Sequence, residues 1–275
     1  MFFHSGTPAG IAANPSSPPD AEGRTLFAQS AARILQREFS GNAISFLLFD
    51  VRSGILLASH WDDPETPIPM GSLVKPFTAL AYAEEHEFRF PSHICRGKAS
   101  GCWLPRGHGR MNIRSALAHS CNSYFRILTA NMNGGQIAPV ARRFGFDAPS
   151  PELSGSALIG LGDRWRIAPM RMAEAYLALR RGQGEPGIRE ILDGMEQSAR
   201  IGTGAAVGRA LGHSSALVKT GTAACTHRKH APGDGFVVAL APATEPELLL
   251  LVRVHGVPGS QAAATAGKML SRIKE

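Results

Sequence analysis

The sequence predicts an α+β fold in which one β-sheet is covered by helices on both faces. Three observations carry this. Apolar residues recur at helical spacing near both ends of the chain, two β-rich runs follow the first helix, and three more precede the last. The long middle stretch is helical, so the sheet is assembled from two separated groups of strands.

Taken in order, residues 1–21 are rich in Gly, Ala, Ser and Pro without an apolar period, and read as a disordered lead-in to a domain spanning 22–275. Leu26, Phe27, Ala31, Ile34 and Leu35 fall at helical spacing, and Gly41 ends that run. AISFLLFD and ILLASH are strand candidates joined by Val-Arg-Ser-Gly, a hairpin signal. A helical insertion is expected from about 62 to 214, with one helix opening near Ser72. SALVKTGTAA, GFVVALAP and ELLLLVRVHG supply the later strands, and QAAATAGKMLSRIKE the last helix. There is no internal repeat.

Composition narrows the function classes. At 275 residues and 44% apolar content, the chain suits one globular domain, or one domain with a small insertion. Its net charge of +7 comes from 23 Arg and 6 Lys spread without the run that marks a nucleic-acid arm, so no nucleic-acid partner is expected. No stretch approaches the ~20 apolar residues of a spanning helix, and the N-terminus lacks the pattern of a signal peptide.

Chemistry enters with three short motifs. Ser72-Leu-Val-Lys75 opens a helix, Ser120-Cys-Asn122 closes AHSCN, and Lys219-Thr220-Gly221-Thr222 lies in a strand. Singly they are weak, since Ser271 to Lys274 is a second S-x-x-K and Ser40-Gly41-Asn42 a second S-x-N. Residue frequencies give roughly a few per cent for a chance K-T-G in a chain this size. Taken alone, Ser72 reads as a helix N-cap, Asn122 as a turn residue and Lys219 as a solvated strand charge. The ordered set is what informs.

That set resembles the penicillin-binding transpeptidases of the active-site serine family, which includes the serine β-lactamases. LIGLGDRWRIAPMRMAEAYLAL, MEQSARIGTGAA and VALAP extend the likeness over roughly residues 43–256. The resemblance implies a β-lactamase/transpeptidase-like fold, with a central five-stranded antiparallel sheet and a helical active-site subdomain. It also implies acyl transfer from D-Ala-D-Ala peptidoglycan stem peptides through Ser72, with β-lactams trapping the same serine.

The chemistry agrees with those assignments. A serine hydroxyl needs a base in reach, and Lys75 stands one helical turn on. A lysine near pKa ~10.4 serves only if burial or a neighbouring cation such as Lys219 disfavours its charge. Ser120 can relay a proton to a leaving amine, and Asn122 can bond Lys75 and a substrate amide. Lys219 and Thr220 would take a substrate carboxylate, beside Gly221. By resemblance, the oxyanion hole is the backbone N–H of Ser72 and Thr222. An edge strand there would also suit a peptide added as a further strand.

Cys95, Cys102, His108 and Cys121 cluster ahead of and inside the S-x-N motif, and three thiolates with an imidazole make a closed zinc site. The alternative is a Cys95 to Cys102 disulfide with Cys121 packed as a small hydrophobe. Some elongation-type penicillin-binding transpeptidases carry a zinc here, and Cys121 with His108-Gly109 matches its positions. Cys95 and Cys102 depart from that pattern, standing where the family site is thought to use carboxylates. Cys225 reads as a bystander, and His227 and His230 as a solvated turn. Met170, Met172, Tyr176 and Leu177 form a core stripe, GTGAAVG lacks the context of a dinucleotide loop, and Trp103 and Trp165 are candidates for core or cleft.

Two further functions stay open at this stage: a serine β-lactamase, and a β-lactam or cell-wall sensor that acylates once. Against the lactamase, no Glu-x-x-Leu-Asn segment supplies a deacylating base, Glu152-Leu153 being only a fragment. The resemblance places the protein outside the cytoplasmic membrane, with separate cell-wall proteins as candidate partners.

Overall fold

The computed structural model describes residues 19–212, 215–225 and 233–274, with side chains from Leu26 onward. Residues 1–18 of the expected lead-in, together with His227 and His230, lie outside the described residues.

Helix α1 (Pro19–Glu38) starts within the expected lead-in and buries Ala31 and Leu35. Leu26 and Phe27, assigned to the core face by periodicity, are instead exposed; the helix meets the core only from Ala31 on. Strands β1 (Ile44–Asp50) and β2 (Leu56–His60) form the predicted hairpin. Its turn is pinned by Asp50 Oδ1, which accepts from the Ser53 N–H and hydroxyl, both at 2.6 Å.

The middle of the chain then unrolls as short ribbons and helices. Strand β3 (Ile68–Pro69) leads through a 3₁₀ turn at Gly71–Val74 into α2 (Lys75–Glu85). Strands β4 (His93–Cys95) and β5 (Gly109–Met111) make a small ribbon ahead of α3 (Ile113–Ala118), α4 (Asn122–Leu128) and α5 (Gly134–Phe144). Capping boxes at Asn112 and Asn133 start α3 and α5. Strand β6 (Arg166–Ile167) pairs with β3, and Pro169 opens α6 (Pro169–Arg181), where its missing N–H costs nothing. Helices α7 (Ile188–Ile201) and α8 (Ala205–Ala210) complete the stretch.

Strands β7 (Leu217–Ala223), β8 (Asp234–Ala241) and β9 (Leu248–Val254) and helix α9 (Gly259–Lys274) end the chain. The main sheet runs β2-β1-β9-β8-β7, every pair antiparallel. Alternate residues feed two cores. Phe46, Leu48, Val237, Leu250 and Val252 face α1 and α9, whereas Leu47, Phe49, Val238, Leu249 and Leu251 face the helical middle. Burial on both faces explains why these strands read as continuous apolar runs, and each such side chain contributes about 1.5–3 kcal/mol. It also leaves β7, which carries Lys219-Thr220-Gly221, at the edge of the sheet.

Candidate active site

Ser72 lies in the 3₁₀ turn before α2, half-buried, and does not cap that helix; Val74 holds the cap position without a side-chain bond. The turn is clamped from two sides. Gly71 has φ +57°, and a Cβ there would collide with the backbone of Thr222 on β7. At Gly221 a Cβ would stand 2.6 Å from Met70 O. Only glycine at both points lets the edge strand reach the serine turn. The buried Tyr176 hydroxyl donates to Leu73 O at 2.8 Å and holds the turn from beneath.

Next to this turn the structure gathers Lys75, Ser120, Asn122 and Lys219. Lys75 is wholly buried, and its Nζ donates to Asn122 Oδ1 at 2.6 Å, Ser120 O at 2.9 Å and Ser120 Oγ at 3.3 Å. Lys219, equally buried, donates to the same Ser120 Oγ at 3.0 Å and to Thr220 O at 2.6 Å. Two buried ammonium groups on one hydroxyl cannot both keep their charge cheaply. Burial lowers Lys75 to about 7, and burial together with the Lys75 charge holds Lys219 well below the usual lysine range.

Ser120 has φ +49°, a left-handed conformation that costs a non-glycine residue on the order of 1–3 kcal/mol. That geometry turns both its carbonyl and its hydroxyl toward Lys75, whose bonds offset the strain. The motif is therefore a built corner.

Cys95, Cys102, His108 and Cys121 converge one residue away, their ligand atoms all within 4.8 Å of one another. His108 Nδ1 is 3.6 Å from Cys95 Sγ and 3.5 Å from Cys102 Sγ, and the Cys102 and Cys121 sulfurs are 3.8 Å apart. Cys95, Cys102 and Cys121 are free thiols, so the alternative Cys95 to Cys102 disulfide is not formed. His108 Nε2 is buried without a partner, which leaves the ring oriented by whatever stands at Nδ1. Burial pushes the Cys121 thiol up; at Cys95, backbone N–H groups of Gly97 and His108 outweigh burial and bring the thiol down to about 7. This Cys/His cluster can hold a metal ion.

Other expectations divide. Trp165 is core, its indole N–H donating to Asp147 O at 3.0 Å, while Trp103 is 51% exposed with its N–H on His119 O. Tyr176, Met172 and Leu177 are buried as the helical stripe predicts. Sequence reasoning passed over Thr203, inside GTGAAVG, which accepts from the Thr220 hydroxyl at 2.6 Å and anchors on Ala118 through N–H···O at 3.0 Å. A glycine-rich loop between helix and strand gave no sign of that pairing.

The five-stranded antiparallel sheet with helices on both faces is the β-lactamase/transpeptidase fold. The penicillin binding protein transpeptidase domain model matches residues 46–183, half of the chain, and the protein belongs to that family. Solved structures agree over more of its length. PBP2 of Pseudomonas aeruginosa, determined in complex with WCK 5153, superposes with a TM-score of 0.70 at 18% identity, covering 91% of this chain and 73% of that one. The TP domain of penicillin-binding protein 3 from Burkholderia pseudomallei gives 0.67 at 17% identity, covering 92% of each. A chain from the complex between PBP2 and MreC of Helicobacter pylori gives 0.71 at 16%, covering 90% of this chain and 62% of that one. No curated protein sequence matches.

Proposed function

We propose that residues 22–275 form a serine acyl-transfer domain acting on D-Ala-D-Ala stem peptides of peptidoglycan. One observation carries the reading: two buried lysines of lowered pKa share the Ser120 hydroxyl, beside a serine turn held against a K-T-G edge strand. Ser72 is the nucleophile and neutral Lys75 its base, held by Asn122. Ser120, between the two Nζ groups, returns the proton to the leaving D-alanine nitrogen. Lys219 and Thr220 receive the terminal carboxylate. The oxyanion lies between the N–H groups of Ser72 and Thr222, a pairing supported by the Thr222 backbone against Gly71. Hydrolysis or attack by an acceptor amine then releases the acyl group.

The Cys/His cluster is a structural zinc site in this reading. Zinc bonds of about 2.3 Å to sulfur and 2.0–2.1 Å to nitrogen make tetrahedral edges of about 3.8 Å (S···S) and 3.6 Å (S···N). Three of the six separations, at 3.8, 3.6 and 3.5 Å, match these edges, and all six lie within 4.8 Å. When bound, zinc would neutralise thiolate charge and tie the β4–β5 ribbon to the residue between Ser120 and Asn122.

Membership of the family supports an extracytoplasmic site of action, and the Helicobacter pylori complex supports a separate cell-wall protein as partner. No helix of the described residues is long and apolar enough to cross a membrane. Intact mass after incubation with penicillin tests the reading: a stable adduct is expected, absent in Ser72→Ala, with zinc retained under native conditions. Rapid turnover of penicillin without an adduct would instead mark a lactamase. A stable adduct without turnover of a stem peptide would mark a sensor.

A further inference from the structure

Between Phe88 and Phe146 the chain has no aspartate or glutamate, yet it holds nine of the 29 basic residues. The rest of the chain is left with 20 basic against 22 acidic residues, so the whole positive surplus belongs to this one stretch. It builds the cysteine ribbon, the S-x-N turn and α4, which together form one flank of the candidate active site.

Three of the nine reach acids just outside the stretch or on other elements: Arg89 with Glu87, Arg114 with Asp193, and Arg143 with Glu84. By contrast, Arg96, Lys98, Arg106, Arg110 and Arg126 are exposed and make no ion pair among the described residues. They share one small substructure. Arg110 lies opposite Ile94 on the β4–β5 ribbon, Arg96 and Lys98 stand at the turn that follows β4, and Arg106 is in the loop returning to β5. Arg126 packs on Gly101, where an added Cβ would be 2.9 Å from its Nε. Arg96 and Arg110 line a cavity of about 570 Å³ with His93 and Ser100.

This charge is continuous with the chemistry. Asn122 and Arg126 are one turn apart on α4, and the Trp103 indole bonds the carbonyl of His119, next to Ser120. Ile94 and Trp103, each 51% exposed, add apolar surface among the cations. Guanidinium groups are planar forks that match carboxylates, and several unpaired cations on one face attract a polyanion more than any single ion. A ligand here must carry spaced negative charge and some apolar surface, and must deliver a group to Ser72.

We infer that this face docks the acidic peptidoglycan strand whose stem peptides react at Ser72, with carboxylates on Arg96, Arg110 and Arg126 and Trp103 as the apolar anchor. The inference rests on the acyl-transfer reading above.

Soluble, uncrosslinked peptidoglycan strands titrated against the whole protein at low and physiological salt test it, with penicillin labelling of Ser72 measured alongside. The wild type should bind and weaken with salt. Arg96→Glu with Arg110→Glu should lose about tenfold or more at low salt. Arg106→Glu with Arg126→Glu should behave alike should the first pair disturb the ribbon. Arg189→Glu with Arg209→Glu, the same charge change elsewhere, should stay within about twofold. Equal strand binding by the patch variants would overturn the inference, as would binding to phosphatidylglycerol vesicles with no affinity for strands. Strand binding on the patch without penicillin labelling would support docking and overturn only the acyl-transfer reading.

Discussion

Two clusters meet at a single tripeptide, and they solve opposite electrostatic problems. Ser120 and Asn122 belong to a site with too many cations: two buried lysines, each satisfied by protein acceptors and each driven toward neutrality. Cys121, between them, belongs to a cluster of electron-pair donors, three sulfurs and an imidazole whose ligand atoms lie within 4.8 Å of one another. The first is complete from its own side chains because an amine can shed a proton. The second can hold an ion, which would stabilise thiolates that burial otherwise disfavours. The difference shows how adjacent residues can serve chemistry and architecture without sharing a mechanism.

Removing one lysine breaks the comparison most sharply. Lys75→Met should slow acylation by penicillin by about 10³-fold or more, since proton transfer and the polarity around Ser120 are both lost. Zinc content measured by native mass should stay at one ion. Loss of the ion as well would mean that the two clusters are one cooperative unit. A smaller effect comes from pH. Lys75 is a base only when neutral and its pKa is lowered to about 7, so the acylation rate should fall as pH drops through 7, by about tenfold for each unit below it. A rate flat between pH 5 and 8 would remove Lys75 from the role of base.

The same pair of clusters shows what sequence alone could reach. Ser72, Lys75, Ser120, Asn122 and Lys219 could be picked out as candidates because each motif keeps its polar residues within a few positions, and the structure gathers Lys75, Ser120, Asn122 and Lys219 beside the Ser72 turn. The four candidate ligands were legible as a set, but spacing left zinc against disulfide open; the structure brings them together with Cys95, Cys102 and Cys121 unbridged, a cluster that can hold a metal ion. The five-stranded antiparallel sheet was implied by the family likeness, and Lys219-Thr220-Gly221 lies on its edge strand. What stayed hidden are contacts between distant segments: Gly71 under Thr222, Tyr176 on Leu73, and Thr203 on Thr220. None has a local signature, because the partner is brought up by the sheet and not by the neighbouring sequence.

Metal removal sharpens the contrast from the other side. Chelation under reducing conditions should lower the melting temperature by several degrees, as loss of a bound ion removes its binding free energy from the folded state. Acylation should fall by no more than about tenfold, because Lys75, Ser120 and Lys219 keep their mutual bonds. Should chelation stop acylation altogether, Cys121 would be the keystone of the catalytic corner, and the two clusters could no longer be treated as separate devices.

The smallest effect concerns Thr203, the partner that sequence did not reveal. The Thr220 hydroxyl donates to Thr203 Oγ1, and that hydroxyl in turn donates to Ala118 O at 3.4 Å, two residues before Ser120. The relay fixes the rotor of Thr220, while Lys219 Nζ donates to the Thr220 carbonyl. Thr203→Val keeps the volume and removes the acceptor, leaving a partly buried hydroxyl unpaired at a cost of about 1–3 kcal/mol that the substrate carboxylate would relieve on binding. A stem-peptide substrate should therefore show a KM changed by several-fold with kcat nearly constant, and Thr203→Ser should restore the wild-type value. A change in kcat alone, or no rescue by serine, would mean that Thr203 supports the packing of the loop and does not position Thr220.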